Sequence, residues 1–315
     1  MEARADQLSP ELRAALLRAF RLLRESLKPA DLARLIAAGD IEGAIRLALS
    51  DEILQRAFYP VRERIRRGTI DAARATVRHI PLRGPIRTIG VAFDPVLDAN
   101  VRAAIASLES GSITYTQGVV RDTFRAAITD GLERGVNPRV VASGLKDVLG
   151  LTPHQEGIIG NFRRALEDGD YAKALSYELR DKRFDPTLRR LAREGKVLTP
   201  TQVEDYGNAY RRKFVARNAE TMARTAALES QRVGQQLAWQ EAQASGALGD
   251  ARVVAIWIAV EDARTRYEHD RMHHAERWLD GAYRSGETRP GQISPWNCRC
   301  TESFKVVRRD YVLKP

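Results

Sequence analysis

Between Thr199-Pro200 and Ser245-Gly246 no proline interrupts the chain, and Gly207 and Gly234 are the only glycines. Thr199-Pro200-Thr201-Gln202 supplies a cap, a proline at the first helical position and a glutamine three residues past the cap. Val203, Tyr206, Tyr210, Phe214, Met222, Ala226, Val233 and Leu237 then follow as apolar and aromatic positions. A helix of thirty or more residues spans about 45 Å or more. The expected fold class is therefore mainly α: helical N-terminal and middle regions, then a long helix leading into a small α+β C-terminal domain.

The rest of the chain supports that reading. Ser9-Pro10-Glu11 reads as a helix start, with Leu12, Leu16, Leu17, Phe20, Leu23 and Leu27 at helical spacing behind it. Leu32, Leu35 and Ile36 begin a second short helix after Lys28-Pro29. From Asp40 to about Ile80 the pattern stays helical, with Leu47, Ile53, Leu54, Phe58, Val61 and Ile65 inward and Pro60 expected to kink or divide it. His79 to Asp94 is rich in proline and glycine; Ile86–Phe93 reads as a short strand or an extended connector. Asn137-Pro138 and Thr152-Pro153 open further helices, Thr152 with Gln155 as a capping box. Gly135 and Gly150 stand where the preceding helices stop. Val140, Val141, Leu145, Val148 and Leu149 form one core stripe, and Ile158, Ile159, Phe162 and Leu166 another. The expected regions are residues 1–83, 84–198 and 199–315.

Composition limits the function. The chain has 315 residues and a formal net charge of +10. That charge suits contact with a polyanion, nucleic acid first, or else a solvated basic surface from an arginine-rich composition. Arg211, Arg212, Lys213 and Arg217 are the densest basic cluster on the long helix, candidates for double-stranded DNA contact or a solvated helix face. Two cysteines, Cys298 and Cys300, argue against a secreted disulfide framework. The opening residues are acidic and amphipathic rather than an apolar signal core, and no run reaches the roughly 20 apolar residues of a membrane span. Synthesis in a cytoplasm follows as an expectation. There is no Gly-x-x-x-x-Gly-Lys-Ser/Thr, Gly-x-Gly-x-x-Gly or Gly-x-Ser-x-Gly, which disfavours a packaging ATPase or a serine hydrolase.

The C-terminal part carries the chemistry. Arg252 to Val260 alternates as a strand apolar on both faces, with Val253, Ala255, Trp257 and Ala259 on one side and Val254, Ile256, Ile258 and Val260 on the other. Asp262 and Arg264 follow it, a pair suited to locking the turn. Three of the five histidines, His269, His273 and His274, come next. On a helix His269 and His273 share a face, and an extended Cys298-x-Cys300 points both thiols one way. Together the four could hold a structural zinc. The alternative is a metal-free domain in which His269 bonds to a carboxylate and the cysteines pack as small apolar groups.

Read in order, these residues resemble a known family. Trp257, Asp262, Arg264, His269, Leu279-Asp280-Gly281 and Asn297-Cys298-Arg299-Cys300 match the C-terminal domain of phage minor head proteins of the Mu F type, also called head morphogenesis proteins. Glu220-Thr221-Met222-Ala223-Arg224-Thr225 is similar to that family's Glu-x-x-Ala-Arg-Thr element. Where an acid usually follows, this chain has Ala226, so that acid is either missing or replaced in space by Glu229. Leu179–Thr187 resembles a charged segment that often precedes the domain. The strong resemblance covers about residues 217–303. It implies a non-enzymatic structural head protein acting with the portal and other head proteins. It also implies a place in the virion near the portal after assembly in the host cytoplasm. Residue-level alternatives are a metal-dependent nuclease or other zinc enzyme using Asp262, His269, His273 and His274 with the cysteines, or an unrelated nucleic-acid-binding protein.

Overall fold

A computed structural model describes residues 2–81, 99–292 and 298–314. The segment expected to be extended at Ile86–Phe93 and the boundary between 83 and 84 lie outside the described residues, as do Trp296 and Asn297. The fold is mainly α with one small antiparallel sheet. Helices α1 (Glu2–Ser26), α2 (Pro29–Ala37), α3 (Ile41–Ala48), α4 (Asp51–Val77), α5 (Ala99–Glu133), α6 (Pro138–Val148), α7 (Pro153–Glu167), α8 (Tyr171–Ser176), α9 (Asp185–Glu194) and α10 (Pro200–Ala244) precede the sheet. Strand β1 (Arg252–Ile258), helix α11 (Tyr267–Asp270), β2 (Glu276–Trp278) and β3 (Thr301–Val307) complete it. No helix among the described residues is long and apolar enough to cross a membrane.

The chain divides into two compact units, each discontinuous in sequence. One holds Leu16–Tyr59 and Thr114–Glu220; the other holds Met1–Ala15, Pro60–Ile113 and Thr221–Pro315. Leu198 and Thr199, at the second expected boundary, both sit in the first of these.

The helical unit is built from stripes and caps. Leu151, Ile159, Phe162, Leu166, Leu188, Leu191, Tyr206 and Tyr210 form its buried core, with Phe162 and Tyr210 ring centroids 4.4 Å apart. Burying such a side chain contributes about 1.5–3 kcal/mol. The Thr152–Gln155 capping box is present in both directions, and Thr199 with Gln202 makes the same exchange ahead of α10. Gly135 and Gly150 take φ of 66° and 83°, the left-handed conformation that ends a helix cheaply only in glycine. The charged segment before α9 is pinned by Arg180, whose Nε and Nη2 donate to Asp185 at 2.9 and 2.8 Å.

Several boundaries differ from the sequence reading. Helix α1 starts at Glu2 and runs through Pro10, so Ser9 is not its cap. Pro60 lies inside α4; the break comes earlier, at Leu49, with Ser50 Oγ accepting from the Ile53 amide at 3.4 Å. A proline inside a helix costs about 3 kcal/mol. Leu54, Phe58, Val61 and Ile65 are all buried on either side of Pro60 and offset it. Leu47 and Val140, expected inward, are 39 % and 62 % exposed.

In the second unit the sheet order is β2-β1-β3, antiparallel throughout. Trp257 stands opposite Glu302, and Ala255 lies between Arg277 and Phe304. Strand β1 stops at Ile258, short of the expected Val260; Val253, Ala255 and Trp257 form its fully buried face, and on the other face Val254 is buried and Ile256 and Ile258 are half-buried. Helix α10 is unbroken over 45 residues. At Gly234 it meets α4 so closely that a Cβ there would lie 2.3 Å from the Thr69 carbonyl oxygen.

Candidate metal centre

Strand β1 delivers Trp257 into the core of the second unit, fully buried, with Ala259, Met272, Ala275, Tyr283, Cys298 and Cys300 around it. The chain then turns sharply. The Asp262 amide donates to the Val260 carbonyl at 2.9 Å, and the Arg264 amide donates to Asp262 Oδ1 at 2.9 Å. Asp262 does pair with Arg264, at 3.3 Å, but its main partner is distant in sequence. Both terminal nitrogens of Arg299 engage its two carboxylate oxygens, Nη1 at 2.7 Å. This bidentate pair ties the turn after β1 to the Asn-Cys-Arg-Cys signature. Hydrogen bonding from Arg299 is the main reason the Asp262 carboxyl sits well below the usual range.

Alternation along residues 298–300 explains the division of labour. Successive side chains of an extended segment point to opposite sides, so Arg299 reaches Asp262 while Cys298 and Cys300 both turn inward. Their sulfurs lie 3.5 and 3.6 Å from His269 Nδ1. The three ligand atoms fall within 4.8 Å of one another, and all three residues are buried. Short helix α11 places His269, whose ring sits edge-on to Trp257 with centroids 5.5 Å apart.

His273 does not join this group. Helix α11 ends at Asp270, so the expected i, i+4 face stops before reaching it. His273 Nδ1 accepts from the Ala259 amide at 3.0 Å instead, and its ring lies against His274. His274 takes a φ of 64° and its amide donates to the Trp257 carbonyl at 2.8 Å. Both are turn residues, and the four-residue ligand set becomes a set of three.

A residue missed in the sequence organises the centre. Arg232, on α10, is 1 % exposed. Its Nη2 donates to the carbonyls of Cys298 and Cys300 at 2.9 and 2.6 Å and lies 3.6 Å from the Cys298 sulfur. Glu229 holds the other side of the guanidinium at 3.3 Å and also pairs with Arg289. Gly291 is required here: a Cβ would come within 3.1 Å of Arg232 and 3.2 Å of Cys298, and its φ is 79°. The Cys300 thiol, hydrogen-bonded to Cys298, draws the Cys298 thiol below its ordinary value with Arg232 assisting. The Cys300 thiol is pushed up by giving that bond. A phase signal was present: Arg232 falls at helical spacing with Leu228 and Trp239, both buried.

A second buried network lies beside it. Arg277 and Glu302 pair at 2.9 Å with both side chains almost wholly buried. The Tyr283 hydroxyl donates to Glu302 at 2.8 Å, and Arg277 Nη1 donates to the Leu279 carbonyl at 2.7 Å. Leu279 is buried, and the Gly281 amide closes the turn on the Trp278 carbonyl at 2.9 Å, so the Leu-Asp-Gly element is a turn held by Arg277. Burial drives both the Glu302 carboxyl and the Tyr283 phenol upward.

The remaining candidates fall elsewhere. Arg224 and Thr225 lie on α10 half-buried, and the Thr225 hydroxyl has no hydrogen-bond partner among the described residues. In the helical unit Arg211 is buried, donating to Glu156 at 2.6 Å and Asn208 at 3.2 Å, so it leaves the expected basic cluster. Arg212, Lys213 and Arg217 are exposed. No protein-family model matches the chain, and no curated protein and no solved structure matches it either.

Proposed function

We propose that this protein is a structural minor head protein of a tailed phage or phage-like particle. It acts with the portal and other head proteins during assembly in the host cytoplasm and stays in the virion near the portal. One observation carries the reading. The residues behind the family resemblance, scattered from Trp257 to Cys300, converge on one small domain and bond to each other: Arg299 to Asp262, and both cysteines to His269. Such mutual contacts support a reading in which the signature specifies this small domain. The exposed cations Arg212, Lys213 and Arg217 supply a surface for packaged double-stranded DNA.

Co-expression with a portal protein from the same genome tests this directly. A complex that survives size-exclusion chromatography is expected. A purified chain that binds neither that portal nor DNA counts against the reading.

A metal-dependent nuclease is the second reading, favoured by the three-residue set His269, Cys298 and Cys300. Three protein ligands leave one position open on a tetrahedral zinc. DNA cleavage that requires the metal and is lost in His269→Ala would move the weight to it.

A further inference from the structure

We propose that His269, Cys298 and Cys300 bind one zinc ion, through Nδ1 and the two sulfurs, beside the C-terminal sheet. The geometry is the first argument. Zinc takes Zn–S near 2.3 Å and Zn–N near 2.0–2.1 Å, so a tetrahedral angle sets sulfur and nitrogen about 3.6 Å apart. The observed separations are 3.5 and 3.6 Å. An S–H···N hydrogen bond spans the same distance, so the spacing means that one ion can be shared with little movement of the three side chains, all of them buried and with ligand atoms within 4.8 Å of one another.

The surrounding donors are the second argument. The Trp257 indole N–H is buried beside the cysteines with no hydrogen-bond partner among the described residues. Arg232 Nη2 lies against the Cys298 sulfur. A neutral thiol accepts hydrogen bonds weakly, whereas a metal-bound thiolate accepts them well, and such outer partners are a regular part of metal sites. The Cys298 sulfur thus has an N–H donor in Arg232. Binding releases one proton from each thiol to solvent, and the two thiolates then balance the dication. Cysteine-rich ligand sets favour zinc over magnesium, calcium or manganese. The fourth position falls to a non-protein ligand such as water.

The consequence is mechanical. The ion would join the turn after β1 to the segment entering β3, across the same gap that Asp262 and Arg299 span. The site rests on the His269–cysteine geometry alone and does not depend on a role beside the portal.

Elemental analysis of the full-length chain is the first test, with one zinc per chain expected. The zinc-stripped chain is then titrated with cobalt(II). Thiolate-to-cobalt charge transfer and the intense visible bands of tetrahedral cobalt should appear, and added zinc should abolish them. The native protein gives this readout, so a variant that fails to fold cannot obscure it. Magnesium should leave the cobalt signal unchanged. A chain that carries no zinc and shows no cobalt–thiolate band overturns the site. So does a folded Cys298→Ser/Cys300→Ser double variant that still retains one zinc per chain.

Discussion

The two compact units solve the same problem by different means. The helical unit buries leucines, isoleucines and aromatic rings, and its polar groups work at helix ends, as caps and as the Arg180–Asp185 pair. The C-terminal sheet is too small to do this. Its three strands enclose Trp257 and a few apolar neighbours, and buried arginines complete the packing: Arg232 on the cysteine carbonyls and Arg277 on Glu302. An apolar core tolerates imperfect fit at modest cost. A buried ionic network is all or nothing, because a lost partner strands a charge. The second unit should therefore be the fragile one, and its failures should depend on chemistry rather than volume.

The largest expected effect exploits that difference. Arg277→Met leaves the buried Glu302 carboxylate without its ion pair and should destabilise the protein by about 3–5 kcal/mol. Arg277→Met combined with Glu302→Leu should recover much of that loss, since both charges leave together. Urea unfolding of the three variants decides it. Equal destabilisation of the single and double variants would place the loss in packing and erase the contrast between the units.

How far each unit was legible follows from the same contrast. The helical unit announces itself through period-3.6 stripes and caps: Thr152 with Gln155, Thr199 with Gln202, and Asn137-Pro138 stand as read. What failed there was punctuation. Pro10 looked like a helix start and Pro60 like a kink or a division, yet buried residues on both sides carry each helix through its proline. In the sheet unit β1, Asp262 and the paired cysteines were readable because local alternation fixes them. Arg232, Arg277, Tyr283 and Glu302 were not, since a charged residue in an amphipathic segment reads as solvent-facing until its partner is known. Arg299 was placed in the signature but not paired with Asp262, 37 residues away. Long-range register, not local propensity, makes that pair.

A helix crossing gives the next test. Alanine normally favours a helix interior over glycine by about 1 kcal/mol. At Gly234 the added Cβ would meet the backbone oxygen of Thr69 at 2.3 Å, which cannot swing aside. Gly234→Ala should cost about 1–3 kcal/mol in spite of its propensity. At Gly207 the nearest group is the Arg163 side chain, which can move, so Gly207→Ala should lie closer to neutral. A smaller loss comes from the helical unit. Thr152→Ala removes one half of its capping box and should cost about 1 kcal/mol, read by the shift in denaturation midpoint.

The last prediction concerns acid, and two carboxylates make it a comparison. Asp262 and Asp181 are both held below the ordinary aspartate value, each chiefly by hydrogen bonds from an arginine, Arg299 and Arg183; Asp181 is drawn down to about 2. A depressed folded pKa contributes stability above the unfolded value, near 3.9, and loses it as pH falls toward the folded value. Both should thus contribute in full at neutral pH, with a pH dependence that appears only below about pH 4. Their structural reach differs. Asp181 bonds two residues along its own chain, so protonating it loosens one turn. Asp262 closes the gap between the turn after β1 and the cysteine segment. Protection factors of the β3 amides, which correct for the intrinsic exchange rate that itself falls with pH, should drop from pH 5 to pH 3 as the opened state takes up a proton on Asp262. In Asp262→Asn the neutral side chain removes the charge at every pH, so the same amides should exchange faster already at pH 5 and change less on acidification. Asp181→Asn should leave β3 exchange as it is in the parent. Unchanged β3 exchange in Asp262→Asn would mean that the cysteine segment is held by Arg232 alone, and that the carboxylate merely decorates the turn.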